Sequence, residues 1–217
     1  MTSLRQTLRS LPVFDRSLPT FDTSDAPEEP VALCLDWLRH AIGADVPEPH
    51  AVTLSTVDAH GAPDARVLIL KDVDVTGWYF ASSADSAKGV QLAQQPKAAL
   101  SSYWPLLGRQ IRVRGVVSDA GSEAAGADFL ARSLDARAEA LLGRQSQVRP
   151  DGEDAAAQLA AARRRLEAAP DSVASSWRLY VLQPREVEFW QAAVTRRHTR
   201  LRYRSEGGAW VRQELWA

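Results

Sequence analysis

The 217-residue sequence predicts an α+β fold, mainly antiparallel β, with one domain built round a barrel and helices at its periphery. Three observations predict it. Between Ala51 and Ser118 most apolar residues alternate with a period of two, the mark of half-buried strands. From about 122 to 169 the chain turns helical, and strands return after Ser175. The last two strands flank Glu206-Gly207-Gly208, a hairpin turn. Neither a repeat nor a low-complexity linker divides the chain. Residues 26–217 therefore read as a single domain with a helical insertion at about 122–169, and residues 1–25 as an N-terminal arm.

The arm carries Pro12 and Pro19 with no sustained period, so it either drapes over a partner or is loose. Asp25-Ala26-Pro27-Glu28 then predicts a helix start of the capping-box type with proline in the first turn. Val31, Cys34, Leu35, Leu38 and Ile42 follow at helical spacing, and Gly43 stands where a C-terminal cap belongs. Cys34 lies on the apolar stripe and reads as a buried small hydrophobe rather than a reactive thiol. Strands are predicted at 51–57, 64–71, 77–82, 97–104 and 108–118, with a short helix at 86–94 stopped before Pro96. Helices are predicted at 124–130, 136–142 and 153–168, and final strands at 175–182, 186–191, 198–205 and 209–215.

Composition narrows the function. With 45% hydrophobic and 24% charged residues the chain is globular, and 26 basic against 27 acidic residues give a net charge of -1. Nucleic-acid binding normally needs a strong basic excess, so it is not expected, and no apolar run is long enough for a membrane span. One cysteine and four scattered histidines cannot furnish a zinc site, and no metal is expected. The N-terminus lacks a signal-peptide core, so the expected location is cytoplasmic. Neither a glycine-rich phosphate loop nor a nucleophile elbow is present, so any phosphate-bearing cofactor must be held by side chains and strand ends.

The charged strands are more informative. In Thr195–Arg204 strand alternation places Arg196, His198, Arg200, Arg202 and Arg204 on one face and Leu201 and Tyr203 on the other. Such a row of cations is either solvated or meets anions, because burying it unpaired costs several kcal/mol. Trp190 just upstream offers an apolar wall for a flat ring. Arg66 and Lys71 bracket an apolar strand whose bland reading is a buried strand with charged ends. Parity puts the two on opposite faces, so they share a ligand only if the strand end bends or the site spans two subunits. In GRQIRVRG the alternation sends Gln110, Arg112 and Arg114 to one side and Arg109 to the other.

In register, LSTVDAHGAPDARVLILK, SAKGVQLAQQP, YWPLLGRQIRVRG, FLARS, GRQSQ, VEFWQ and RRHTRLRY resemble the pyridoxine/pyridoxamine 5'-phosphate oxidase family over roughly residues 30–217. The resemblance implies a Greek-key-type, FMN-binding split β-barrel and a homodimer with FMN at the subunit interface. It implies FMN contacts from Arg66, Val67, Leu68, Ile69, Leu70, Lys71, Ala81, Ser82, Lys88, Gln110, Trp190 and Arg200, and from Gln145 and Ser146 across the interface. Lys71, Arg132, Arg196 and His198 match positions that hold the small-molecule substrate, Arg196 and His198 being the implied catalytic pair, and Asp128 falls at a further substrate position. The implied reaction is oxidation of a small cyclic amine or alcohol by O2 with release of H2O2, as in pyridoxal phosphate biosynthesis.

Three departures accompany these matches. Ala87 replaces an arginine beside the FMN-contacting lysine, and Asp128 and Ala136 replace a tyrosine and a serine on the substrate phosphate. Losing two hydrogen bonds to a charged group removes ~3–6 kcal/mol, or ~10²–10⁴ in affinity. The sequence thus keeps two further readings open: an oxidase of the same build for a phenazine-type metabolite, and a flavin- or vitamin-binding protein without turnover. A deazaflavin in the same barrel is the remaining cofactor alternative.

Overall fold

The computed structural model describes residues 2–216; Met1 and Ala217, the outer ends of the arm and domain read from the sequence, lie outside the described residues. Its elements are α1 (Leu4–Ser10), α2 (Pro30–Gly43), β1 (Ala51–Val57), β2 (Pro63–Val73), β3 (Trp78–Ser83), α3 (Ala87–Gln94), β4 (Lys97–Trp104) and β5 (Arg109–Asp119). Then come α4 (Ser122–Leu130), α5 (Leu134–Leu142), α6 (Ala155–Ala168), β6 (Trp177–Gln191), β7 (Thr199–Glu206) and β8 (Ala209–Glu214). The chain condenses into two compact units. The first comprises the described parts of Met1–Pro49, Ser101–Arg112 and Glu186–Ala217; the second comprises His50–Leu100 and Val113–Arg185.

The second unit is the barrel. Strands β3, β2, β1, β4, β5 and β6 hydrogen-bond in that order, and β3 pairs back with β6 to close an antiparallel ring of six. Closure leaves no free edge among them. In β1 the period-two pattern buries Val52, Leu54 and Thr56. The bland reading of the next strand, a buried one, is overturned: in β2 Val67 is 68% and Ile69 38% exposed. The break expected near Pro184 is also absent, and β6 runs unbroken for 15 residues. Proline lacks an N–H and reads as a strand break. Here, though, a Cβ on Gly115 would fall 1.9 Å from the Gln183 carbonyl oxygen and 3.0 Å from the Pro184 Cα. Only glycine at 115 admits that approach. Helices α4 to α6 have their own small cores: Phe129 packs with Trp177 and Ala174, and Ala138 with Ala162 and Leu166.

The first unit gathers α2 and the β6–β7–β8 end of the sheet. The α2 helix begins at Pro30, not in the Asp25–Glu28 segment. A residue before proline is driven out of the α region, and Glu29 sits at φ -101°, ψ 128°, so no helix can run through it from residue 26. The carbonyls of Ala26 and Pro27 instead accept hydrogen bonds from Arg212 and Tyr203. Gly43 closes the helix as its last residue, and Ala44 is the cap. The Trp37 ring meets Phe189 edge-on at 5.2 Å, Phe189 meets Tyr203 at 5.8 Å, and Leu33 and Cys34 are buried. The β7–β8 hairpin turns on Gly207 and Gly208 at φ 59° and 88°, the two positive angles that a two-residue turn of this hand requires. The arm is not without structure: Ser3 and Gln6 form a capping box that starts α1, a helix with no buried residue.

Candidate functional site

A cavity of about 820 Å³ opens in the second unit. It is lined by Arg66 to Ile69 and Lys71 of β2, Ala81 to Ser83 of β3, Ala87 and Lys88 of α3, Arg132, Gly143 to Ser146 and Trp177. Arg66 and Lys71 therefore reach one cavity of one chain, against strict parity. Residues 66 to 69, of both parities, already line it, and at Lys71 the strand also bulges. From Leu70 to Asp72 is two steps on β2, while their partners Phe80 and Tyr79 are one step apart on β3, so Lys71 is the extra residue and the alternation breaks there. Leu70 does not line the cavity; its N–H donates to the His50 carbonyl.

One end of the cavity is a cradle of donors. Lys88 is 8% exposed, with its ammonium 3.2 Å from Ser82 Oγ and 3.3 Å from Ser86 Oγ. Burial, seconded by the charge of Arg66, pushes the Lys88 pKa below the ordinary lysine value, against the pull of Asp64. Arg66 donates to Thr56 Oγ1 at 2.6 Å and Gln91 Oε1 at 3.2 Å and pairs with Asp64. Ser86 caps α3 by accepting the Gly89 N–H at 3.2 Å. A Cβ on Gly89 would lie 2.3 Å from the Ala84 carbonyl oxygen, so the first turn of α3 sits hard against the end of β3. Gln145 and Ser146 line the cavity of this chain. Gly143 ends α5 at φ 66°, and the loop beyond it lets Ser146 Oγ accept the Ala87 N–H at 3.3 Å, with Gln145 Oε1 3.5 Å from Ser82 Oγ.

At the other end Asp128, itself outside the lining, holds two residues that do line the cavity. Asp128 Oδ1 lies 3.1 Å from Lys71 Nζ, and Asp128 Oδ2 accepts the Trp177 Nε1–H at 2.9 Å. The Arg132 guanidinium stacks 4.0 Å over the Trp177 ring, and its Nη1 is buried without a hydrogen-bond partner. Desolvation lowers the Arg132 pKa, opposed by Asp128. Ala136 does not line the cavity; its N–H is taken by Ser133 Oγ at the start of α5.

The remaining expected residues belong to the first unit. Gln110 is half-buried on β5, opposite the buried Arg109 and Ile111, as alternation predicted. Arg196 and His198 do not continue the strand: β7 starts at Thr199, and Arg196 has φ 66° in a turn whose N–H donates to the Ala193 carbonyl. His198 Nδ1 accepts the Ala193 N–H at 3.1 Å, and its ring lies 5.0 Å from Trp190. Desolvation and then the Arg196 charge lower its pKa. Phe14 of the arm meets both rings, at 5.7 Å from Trp190 and 5.4 Å from His198. Within β7 the alternation holds, burying Leu201 and Tyr203, and the arginines opposite meet anions. Arg200 pairs with Glu188 at 2.9 Å, Arg202 with Glu186 at 3.8 Å, and Arg112 reaches the same Glu188 at 2.6 Å. Glu188, Phe14, Asp64 and Arg144 were not singled out from the sequence. For Glu188 the signal was present, because Val187 and Phe189 bracket it as core residues and leave it on the face of Arg200 and Arg202.

The comparisons agree with this arrangement. The family model described as pyridoxamine 5'-phosphate oxidase matches residues 38–191, and the one described as pyridoxine 5'-phosphate oxidase C-terminal dimerisation region matches residues 177–217. The pyridoxine/pyridoxamine 5'-phosphate oxidase of Azotobacter vinelandii is 42% identical over 195 residues, 88% of this chain and 90% of its own. That of Pseudomonas paraeruginosa is 38% identical over 194 residues, with the same shares covered. Among solved structures, PhzG from Burkholderia lata, in complex with tetrahydrophenazine-1-carboxylic acid, superimposes with a TM-score of 0.82 at 29% identity, over 93% of this chain and 100% of its own. A pyridoxamine 5'-phosphate oxidase-related, FMN-binding protein from Nostoc punctiforme shares the fold, with a TM-score of 0.71 at 20% identity over 88% and 100% of the two chains. A closed six-stranded barrel, a cavity rich in cations, and sequence matches that together run from residue 38 to the end lead to one conclusion: the chain belongs to the pyridoxamine 5'-phosphate oxidase family.

Proposed function

We propose that this protein is an FMN-dependent oxidase acting on a small cyclic amine or alcohol, with pyridoxamine or pyridoxine 5'-phosphate as first candidate, and that it works as a cytoplasmic homodimer whose flavin sites draw on both subunits. The observation that carries the reading is the buried Lys88 with its two serine hydroxyls at one end of a large cavity. A buried ammonium with no carboxylate within ion-pair distance among the described residues fits an anion, and the exposed Val67 and Ile69 fit the flat apolar ring of a flavin. On this reading Lys88, Ser82 and Arg66 hold the FMN phosphate and ribityl chain, Gln145 and Ser146 close over them, and Ala81 and the β2 ribbon border the ring.

Bound FMN supplies a two-electron acceptor that O2 reoxidises, so that an amine, O2 and water give an aldehyde, ammonia and H2O2. The protein's own share is orientation and charge. His198, with Nδ1 accepting a backbone N–H, carries its ring proton on Nε2 and is kept neutral by its lowered pKa, so it offers substrate a donor without adding charge. Arg196 beside it supplies the cation.

A second reading, a phenazine-type substrate, is favoured by one contact: Asp128 already occupies Lys71, the lysine that a substrate phosphate would need. An absorbance spectrum of the purified protein, with the extracted cofactor identified by mass, tests the flavin assignment; a deazaflavin or no flavin refutes it. An H2O2 assay with pyridoxamine 5'-phosphate then separates the two substrate readings, and no turnover of any cyclic amine or alcohol would make the protein a flavin carrier.

A further inference from the structure

A phosphate monoester at neutral pH carries a charge of about -1.5 to -2, more than one ammonium balances. Five cations line the cavity: Arg66, Lys71, Lys88, Arg132 and Arg144. Lys71 is committed to Asp128 and Arg132 to the face of Trp177, leaving at the α3 end Lys88 and Arg66, the latter shared with Asp64. Position 87, next to Lys88, is an alanine.

The loop after α5 brings a further charge to that end. The two residues that follow Arg144 are tied to the groups around Lys88: Gln145 to Ser82 Oγ, itself 3.2 Å from the lysine nitrogen, and Ser146 to the Ala87 N–H. Arg144 lines the cavity, its side chain is 53% exposed, and its Nη1 pairs with Glu153. A guanidinium has five donors, so the Glu153 contact leaves a fork that an anion can use.

We propose that Arg144 is a further cation of the phosphate cradle, standing with Lys88 and Arg66 where residue 87 has no charge to give. The inference rests on the FMN reading above and names a phosphomonoester as the group that Arg144 recognises. The Glu153 carboxylate then acts as a holder that competes with the ligand for the guanidinium.

The test titrates apoprotein with FMN and with riboflavin, following flavin fluorescence quenching. Arg144→Gln should weaken FMN by about tenfold or more and leave riboflavin unchanged, because only FMN carries the phosphate. Ala87→Arg placed in the Arg144→Gln background should restore most of the loss. Glu153→Gln, which removes the competing carboxylate, should tighten FMN, whereas a purely structural ion pair would make it act like Arg144→Gln. Equal weakening of both ligands, no weakening of FMN, or no rescue by arginine at 87 overturns the proposal. Wild-type apoprotein that binds neither flavin overturns the FMN reading with it; wild type that binds FMN indifferently to Arg144→Gln overturns the role of Arg144 alone.

Discussion

Asp128→Asn is the substitution that reports most directly on the substrate. The carboxylate lies 3.1 Å from Lys71 Nζ and accepts the Trp177 Nε1–H at 2.9 Å. Asparagine keeps the shape and an oxygen for the indole, and removes only the charge that occupies Lys71. A released lysine can offer a substrate phosphate a charge-assisted hydrogen bond of ~1.5–3 kcal/mol. Lys71 is 32% exposed in its side chain, so solvent screening trims this to about 1–2 kcal/mol. At ~1.4 kcal/mol per decade the expected gain in kcat/KM on pyridoxamine 5'-phosphate is roughly 5–30-fold, and it should appear mainly in KM. Steady-state H2O2 release measures it, with unphosphorylated pyridoxamine as the internal control, which should gain nothing. Asp128→Tyr with Ala136→Ser should do no better than Asp128→Tyr alone, because Asp128 holds the lining residues Lys71 and Trp177, while Ala136 does not line the cavity. If wild type already turns over the phosphate ester with a low KM and Asp128→Asn leaves the ester-to-pyridoxamine preference where it was, then the carboxylate does not guard this site and the reasoning fails.

Lys88→Ala and Arg200→Ala should each weaken FMN by about tenfold or more in fluorescence titrations. Since the ammonium is the binding form and burial lowers its pKa, wild-type FMN affinity should fall as pH rises at values below those expected of an ordinary lysine, and this fall should vanish in Lys88→Ala. Arg196→Ala and His198→Ala should lower turnover while leaving the bound-flavin spectrum intact; loss of flavin in either would transfer that residue to the cofactor side. Because the His198 pKa is depressed, its neutral form contributes fully above the ordinary histidine value of about 6.5 and is lost as pH falls below that, so turnover should drop on the acid side. Light scattering should give a dimer, and a monomer binding FMN stoichiometrically would refute the shared site. Gly115→Ala must push β5 off β6, at about 1–3 kcal/mol, which for a chain of this size lowers Tm by roughly 2–12 °C.

The strands and helices were legible where one periodicity ran undisturbed. The alternation in Ala51–Val57, the short helix that ends before Pro96, and the paired glycines of the last hairpin each follow from local chemistry that a neighbour cannot easily override. Errors came where two local signals competed. Asp25-Ala26-Pro27-Glu28 has the composition of a helix start, yet Pro30 vetoes α conformation at Glu29 and moves the start onto itself. Pro184 has the chemistry of a break, yet an absent side chain on another strand lets β6 continue. Neither outcome is a property of the segment in which the signal was read.

The site shows the same division more sharply. The resemblance to the family named residues for one site, and Arg66, Val67, Leu68, Ile69, Lys71, Ala81, Ser82, Lys88, Arg132, Gln145 and Ser146 do line one cavity. What they do there depends on facts with no sequence signature. Residues of both parities in β2 line the cavity, and a single extra residue breaks the alternation at Lys71. The turn at Arg196 takes the pair Arg196 and His198 out of the strand ladder and leaves their positions to a backbone angle of φ 66° rather than to alternation. Asp128 could be recognised as a departure, but its charge has opposite consequences according to its partner. Turned to Arg132 it would leave Lys71 available to an anion; turned to Lys71, as it is, it withdraws the lysine and leaves Arg132 with a buried nitrogen lacking a partner. The substrate preference proposed above turns on that contact, in which Asp128 lies 3.1 Å from Lys71 beside the bulge in β2.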